Sequence, residues 1–414
     1  MLNIPKLCEC IGSFVQGRRL KGHGIVMSLE RLISTINKSH RRIIGLMSGM
    51  SMDGVDLAYA EICGSFPDLK VKLIGAHARP YAPEVKRMLM GSREGTVYDV
   101  CQLNFLVAEE FSECVNEFLA LNSIDAKAID AIGSHGQTIC HVPRGTDRIP
   151  STLQVGSSSI IAEMTGIPTI ANFRVRDMAV GGEGAPLIPL VDYILYRDSG
   201  GVVALNNLGS ISNVTVVTPE LDHLTGFDTG PANMPIDFFA KLIPGNDLGI
   251  DCDGALSSRG RIIPDLLNEM MQIPFIAKSP PKAAGYEEFG PVLLRKFQDK
   301  YSEKVPMDLL RTAVEFSALS ISYAYKKFIL PHHQLKHVTF TGGGCYNQTL
   351  MKRIRELLPE LNIRELNEKD KALNDCKEGL GFAILAHETL SGRPGNVPSA
   401  TGANKAVVLG ELAP

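Results

Sequence analysis

One pattern occurs twice in this chain, and the repetition limits its fold more than any single motif does. In the first half, the apolar run Ile43-Ile44-Gly45-Leu46-Met47 breaks at Ser48-Gly49-Met50-Ser51-Met52-Asp53-Gly54, then resumes at Val55 as an alternating strand ending near Ile62. Alternation marks a half-buried strand and the Ser/Gly/Asp break marks a hairpin turn. In the second half, apolar residues 202–205 and 214–217 flank the turn Asn206-Asn207-Leu208-Gly209-Ser210-Ile211-Ser212-Asn213. Each hairpin is followed by a third strand, residues 71–76 in one case and a segment ending in Gly226-Phe227-Asp228-Thr229-Gly230-Pro231 in the other. Helices then intervene before another strand, at residues 128–133 and again at residues 337–341. The period is far too long for a solenoid. Two related α/β lobes facing each other across a cleft account for it better.

The helices carry their own signature. Val100, Leu103, Val107, Phe111, Cys114 and Phe118 recur at steps of three and four, as do Leu310, Val314, Ile321 and Phe328 before Pro331. Both sets form one helical face, and proline ends the second. Further helices are expected at residues 159–165, 234–242 and 347–358, and another strand at 168–173. The polar turn Arg197-Asp198-Ser199-Gly200-Gly201 suggests a division into residues 42–195 plus about 390–414 for the first lobe and 196–389 for the second. A helix around residues 378–390 is a candidate for crossing back to the first lobe.

Composition removes several classes of partner. With 414 residues there is ample chain for two sizeable cores. A formal charge of −3 gives no global bias toward nucleic acid or anionic lipid, and no apolar run reaches membrane-spanning length. Nine cysteines, scattered apart from Cys8 and Cys10, read as reduced thiols of a cytoplasmic protein. Residues 1–41 are basic and acid-poor, and are expected to form an unstructured extension, with a targeting segment as the alternative and Met27 as a working start.

Candidate chemistry sits at the turns. Glycines at Gly49 and Gly54 allow close approach to phosphate oxygens, Ser48 and Ser51 can donate to them, and Asp53 can hold a cation. A plain hairpin loop is the competing reading. Neither a Walker sequence nor a GxGxxG opening a helix is present. Asp228 lies between a strand and a helix, where a carboxylate could accept a proton or simply cap the helix. His135 and Gln137 follow a strand, a location where ligands gather in α/β folds. Arg174, Arg176 and Asp177 stand at a strand exit, open to either an internal ion pair or substrate contact. Gly342, Gly343 and Gly344 permit either a flat ligand such as adenine or close helix packing.

Together the segments SGMSMDGVD, GSHGQT, TLQVG, NFRVRDMAVGGEGAPL, GFDTGPAN, DCDGALSSRG, PPKAAGYEEFG, TGGGCYN, EGLGFA and PGNVPSATGA resemble the anhydro-N-acetylmuramic acid kinase family, across about residues 42–412. The resemblance implies a two-lobed actin-like ATPase (duplicated ribonuclease H-like) fold with a central active-site cleft. It implies an ATP- and magnesium-dependent kinase of cell-wall recycling, which hydrolyses the internal ring of 1,6-anhydro-N-acetylmuramic acid and phosphorylates the freed 6-oxygen. Asp228 matches the family's general base. Ser48, Gly49, Met50, Ser51, Met52, Asp53, Gly54 and Val55 match its phosphate loop, with Gly209 opposite and Gly342, Gly343 and Gly344 bordering adenosine. Asp53 and Glu378 match metal contacts, Glu378 also lying near the sugar, and Ser134, His135 and Arg176 match positions facing the sugar. The family also implies a homodimer.

The chain departs from the family pattern at several places. Met50 replaces Thr, Ser210 and Ala232 replace Gly, Asn172 replaces Asp and Glu183 replaces Gln. Ala283, Ala284 and Tyr286 stand for Ser, Thr and Arg. These changes leave two rivals in view: a kinase for another anhydro sugar such as levoglucosan, and a catalytically weakened nucleotide-binding regulator.

Overall fold

The computed structural model describes residues 29–414 except 50, 93, 145–147 and 365–367. Its organisation follows from two sheets with the same internal order. In the first, β1 (His40–Ser48), β2 (Gly54–Cys63) and β3 (Lys70–Pro80) form an antiparallel meander. β4 (Ala131–Val142) then runs parallel to β1, and β6 (Thr169–Ala171) runs parallel to β4. β5 (Ser151–Val155) pairs with the far end of β4, and the C-terminal β12 (Glu411–Ala413) closes the edge on β6. The second sheet repeats the scheme with β7 (Val203–Leu208), β8 (Ile211–Val217) and β9 (Thr225–Pro231) antiparallel. There β10 (His337–Thr341) is parallel to β7, and β11 (Ile363–Arg364) is parallel to β10. The duplicated, two-lobed α/β fold expected above is present.

The helices that position the site are α1 (Leu29–Asn37), α2 (Pro83–Gly91), α3 (Val97–Leu121), α4 (Ser158–Thr165), α5 (Phe173–Ala179) and α6 (Pro189–Tyr196) in the first half. In the second half they are α7 (Asn233–Ala240), α8 (Pro306–Ala324), α9 (Gln348–Leu357) and α10 (Glu368–Leu390). Among the described residues no helix is long and apolar enough to cross a membrane.

Strand alternation sorts the apolar side chains into three cores. Ile44, Leu46 and Leu57 face α3, burying Leu103, Val107, Phe111 and Phe118. Ile43, Ala58 and Ala60 point the other way, onto Leu380, Ala383 and Ile384 of α10 and Val191 of α6. That middle core also takes in Val203, Leu205 and Val217 of the second sheet, so it joins the lobes. Ala204, Val214 and Val216 turn to the far side and pack on α7, α8 and α9. Helix α10 lies backbone-to-backbone on the first sheet: a Cβ on Gly45 would collide with the Gly379 carbonyl. Glycine inside an apolar strand is explained by that approach.

Helix α10, within the range 196–389 given to the second lobe but also the candidate for crossing back, packs on β1, β2 and β4 of the first sheet. A second expectation shifts. Residues 29–41 of the expected extension are structured as α1 and the start of β1. The cause is Arg41, which is fully buried: its guanidinium donates to the Thr35 carbonyl at 2.9 Å and the Ile36 carbonyl at 2.6 Å, capping α1. It also donates to Ser391 Oγ at 2.9 Å, tying this segment to the end of α10. Residues 1–28, with Cys8, Cys10 and Met27, lie outside the described residues.

Candidate active site

Asp228 is in the middle of β9, and the helix that follows is capped at Ala232, so the capping reading of this acid is excluded. Cross-strand partners share a sheet face. Asp228 stands opposite Asn213 of β8, and Asn213 opposite Asn207 of β7, which makes a polar row across the sheet. At the end of that row, Asn207 Nδ2 donates to Glu378 Oε1 at 3.2 Å. Since Glu378 is carried by α10 on the first sheet, this polar row runs from Asp228 to the junction of the two lobes.

Three features fix Asp228. Its N–H donates to the Lys282 carbonyl at 3.0 Å, and its Oδ2 accepts the Ala284 N–H at 2.7 Å. Behind it, Gly230 has φ +141° and presses so closely on α8 that a Cβ would collide with Ser320, whose hydroxyl donates to the Thr229 carbonyl at 2.9 Å. Burial pushes the carboxyl up to about 7; the Ala284 amide, Lys282 and Arg174 pull against it, and Glu288 adds to it. A base poised there serves proton abstraction near neutrality. Glu378 is likewise raised by burial and by Asp56, and held down by Lys377, Arg174 and the Asn207 amide.

The arginine turned inward from α5 is Arg174. It donates to the Gly184 carbonyl at 2.7 Å and from Nε to His135 Nε2 at 3.1 Å, and its charge is felt by both Asp228 and Glu378. His135 Nδ1 lies 2.9 Å from the Gly136 carbonyl, which assigns the proton to Nδ1 and leaves Nε2 to accept. Burial, with Arg174 adjacent, holds this imidazole neutral. Ser134 is fully buried, and its Oγ has no partner among the described residues. Arg176, by contrast, is exposed, whereas Ser134 and His135 are buried.

In the first-lobe turn, Ser48 is buried, with Oγ 2.7 Å from both the Gly54 carbonyl and Gln137 Oε1, and Gln137 Nε2 donates to the Gly49 carbonyl at 3.1 Å. The Ser48 hydroxyl therefore braces the turn. Met52 and Val55 are buried, while Gly49 and Ser51 stay at the surface. Asp53 is exposed and pairs with Lys86 of α2 at 2.6 Å. Met50 and the Tyr286 side chain lie outside the described residues.

The opposing turn is built tighter. Gly209 and Ser210 carbonyls accept the N–H groups of Asn233 (2.9 Å), Ala232 (3.0 Å) and Met234 (3.1 Å) at the start of α7. Gly342 and Gly344 press on Asn207 and Leu208, which accounts for both by packing, whereas a Cβ on Gly343 would meet nothing nearer than Asn233 Nδ2 at 3.7 Å. Asp237 of α7 is pushed up to about 7 by burial, against the pull of Lys241, with Asp53 from the other lobe and Asp251 adding to the shift. Other departures from the family pattern have local partners. Asn172 donates to Glu411 at 3.0 Å, Glu183 accepts the Arg144 N–H at 2.9 Å, and the Ala284 contact to Asp228 uses only backbone.

With this geometry in place, known proteins can be set beside it. The model of the family described as anhydro-N-acetylmuramic acid kinase matches residues 41–414. The chain belongs to that family. The protein named anhydro-N-acetylmuramic acid kinase from Caldanaerobacter subterraneus subsp. tengcongensis is 41% identical over 396 residues, covering 93% of this chain and 100% of the relative. Its namesake from Bacillus cereus (strain AH820) is 40% identical over 377 residues, covering 89% and 98%. The order of motifs on which the resemblance rested spans nearly the same residues as the family match.

Among the described residues, no group of three His, Cys, Asp or Glu side chains is arranged to hold a metal ion. Magnesium does not require such a cage, since it keeps waters and is held by one or two carboxylates with substrate phosphates. Asp53 and Glu378 are carboxylates of the right kind, the first paired here with Lys86 and the second with Asn207.

Proposed function

We propose that this protein is the kinase that its family name describes: it opens 1,6-anhydro-N-acetylmuramic acid with water and phosphorylates the released 6-oxygen from ATP. The observation that carries the reading is Asp228, a carboxyl raised to about 7 by burial, whose Oδ1 has no hydrogen-bond partner among the described residues. Water gives a proton to Asp228 as its oxygen bonds the anomeric carbon. The bond from that carbon to the 6-oxygen breaks, and the 6-oxygen takes the γ-phosphoryl group while ADP leaves. The proton then passes from Asp228 to solvent, which balances the reaction. Coupling ring opening to transfer means that the departing oxygen is captured as its charge develops.

Gly49, Ser51 and Asp53 from one lobe, and Gly209 and Gly343 from the other, would hold the nucleotide's phosphates and adenosine edge. Asp53 and Glu378 would hold magnesium, which when bound neutralises phosphate charge. Arg174, fixed by neutral His135 and the Gly184 carbonyl, would orient the sugar from the first lobe. The cytoplasm is the compartment proposed, and a homodimer remains an expectation from the family.

ADP release tests the reading. With magnesium ATP, 1,6-anhydro-N-acetylmuramic acid is expected to give turnover and levoglucosan little. Preference for levoglucosan would redirect the substrate assignment, and ADP from neither sugar despite ATP binding would overturn the kinase reading.

A further inference from the structure

Lys282 is a buried cation that the reaction above does not use. Its residue exposure is 2%, it has no ion pair among the described residues, and its ammonium is satisfied entirely inside the second lobe. Nζ donates to the carbonyls of Phe275 at 3.2 Å and Ile276 at 3.3 Å. It also sits over the rings of Phe275 and Phe328, 4.6 Å and 5.1 Å from their centroids. Four contacts around one ammonium fix a short stretch of backbone. That stretch is the one that grips Asp228: the Lys282 carbonyl receives the Asp228 N–H, and two residues on, the Ala284 N–H reaches Asp228 Oδ2.

We propose that Lys282 is a positioning residue: anchored in its carbonyl and aromatic cage, it holds residues 282–284 against β9 so that one oxygen of Asp228 is bound and the other is left to take a proton. The proposal deepens the reading of Asp228 as base and rests on it. It also makes sense of a departure from the family pattern. With Ala283 and Ala284 in place of hydroxyl residues, the grip on Asp228 comes from an amide, and an amide is only as well placed as its backbone.

The charges facing this pair are few. Asp228 is influenced by Lys282, Glu288 and Arg174, and Lys282 by Asp228 and Lys278. Burial lowers Lys282 to about 8, so it is still largely cationic at neutral pH, and its charge favours the Asp228 carboxylate. Removing the charge therefore raises the affinity of Asp228 for its proton.

The test compares the full chain with Lys282→Met, which keeps the length and loses the charge and donors, and with Lys282→Arg, which keeps the charge. Asp228 is titrated by carbon-13 NMR of labelled aspartate carboxyls, assigned by their loss in Asp228→Asn, so the readout needs no turnover. Lys282→Met is expected to raise the Asp228 midpoint by about half a unit or more, and Lys282→Arg to restore it in large part. In the ADP assay, Lys282→Met should lower kcat about tenfold with KM little changed. A normal Asp228 midpoint in Lys282→Met would overturn the proposal. Silent wild-type enzyme with a shifted midpoint in Lys282→Met would leave the positioning role standing and sink the kinase reading instead. If Lys282→Met does not fold, Phe328→Leu, which removes one face of the cage, should shift the midpoint in the same direction by less, and no shift there would also overturn it.

Discussion

The two glycine-bearing turns descend from the same strand order but occupy different environments. Between β1 and β2, the carboxylate of Asp53 stands in solvent beside Lys86, while Ser48, Gln137 and the Tyr81 N–H, which donates to the Asp53 carbonyl at 3.1 Å, brace the loop. Between β7 and β8, the turn is welded to α7 through three backbone hydrogen bonds and covered by Gly342 and Gly344. Asp228, the proposed base, lies in the lobe with the tighter turn, where burial above all moves its carboxyl to about 7. Duplication supplied two similar frames; desolvation made one of them suited to proton transfer and left the other open to charged ligands.

The contrast can be broken most forcefully at Asp228. Asp228→Asn keeps the shape and removes the base, and should lower kcat about a thousandfold in steady-state ADP release. Activity within tenfold of wild type would mean that the raised carboxyl is incidental. A smaller loss is expected from Gly230→Ala, because the new Cβ meets Ser320 at a backbone angle that favours glycine. It should destabilise the protein by about 2 kcal/mol in urea unfolding and slow turnover through displaced Asp228.

The mildest test is Asp237→Asn. The folded protein raises this acid from 3.8 to about 7, so the stability tied to its proton is full below pH 4 and is lost as pH rises through 7. Asparagine carries no such dependence. The variant should melt a few degrees above wild type at pH 8 and level with it at pH 4. An equal melting temperature at both pH values would mean that Asp237 is not desolvated, and would weaken the inference that the lobes approach closely at Asp53.

Much of the frame was legible in the sequence because its signals are periodic. The strands around both turns and the faces of α3 and α8 follow from spacing alone. What escaped was decided by tertiary packing. Arg174 and Arg176 flank the buried stripe of Phe173 and Asp177 almost symmetrically at about 100° per residue, so helical periodicity cannot choose the inward one. Asp228 next to Thr, Gly and Pro reads as a cap until the strand pairing with Asn213 is known. The basic leader concealed Arg41, whose burial depends on carbonyls of α1 and on Ser391, 350 residues away. Lys282, a single cation in a Pro/Ala/Gly segment, has no pattern to announce it.

The central claim is that burial prepares Asp228 to act as a base near neutral pH. The dependence of kcat/KM on pH for 1,6-anhydro-N-acetylmuramic acid tests it most directly. The account predicts a plateau above pH 7 and a tenfold fall for each unit below it, following protonation of Asp228. A profile that stays flat down to pH 5 would contradict it.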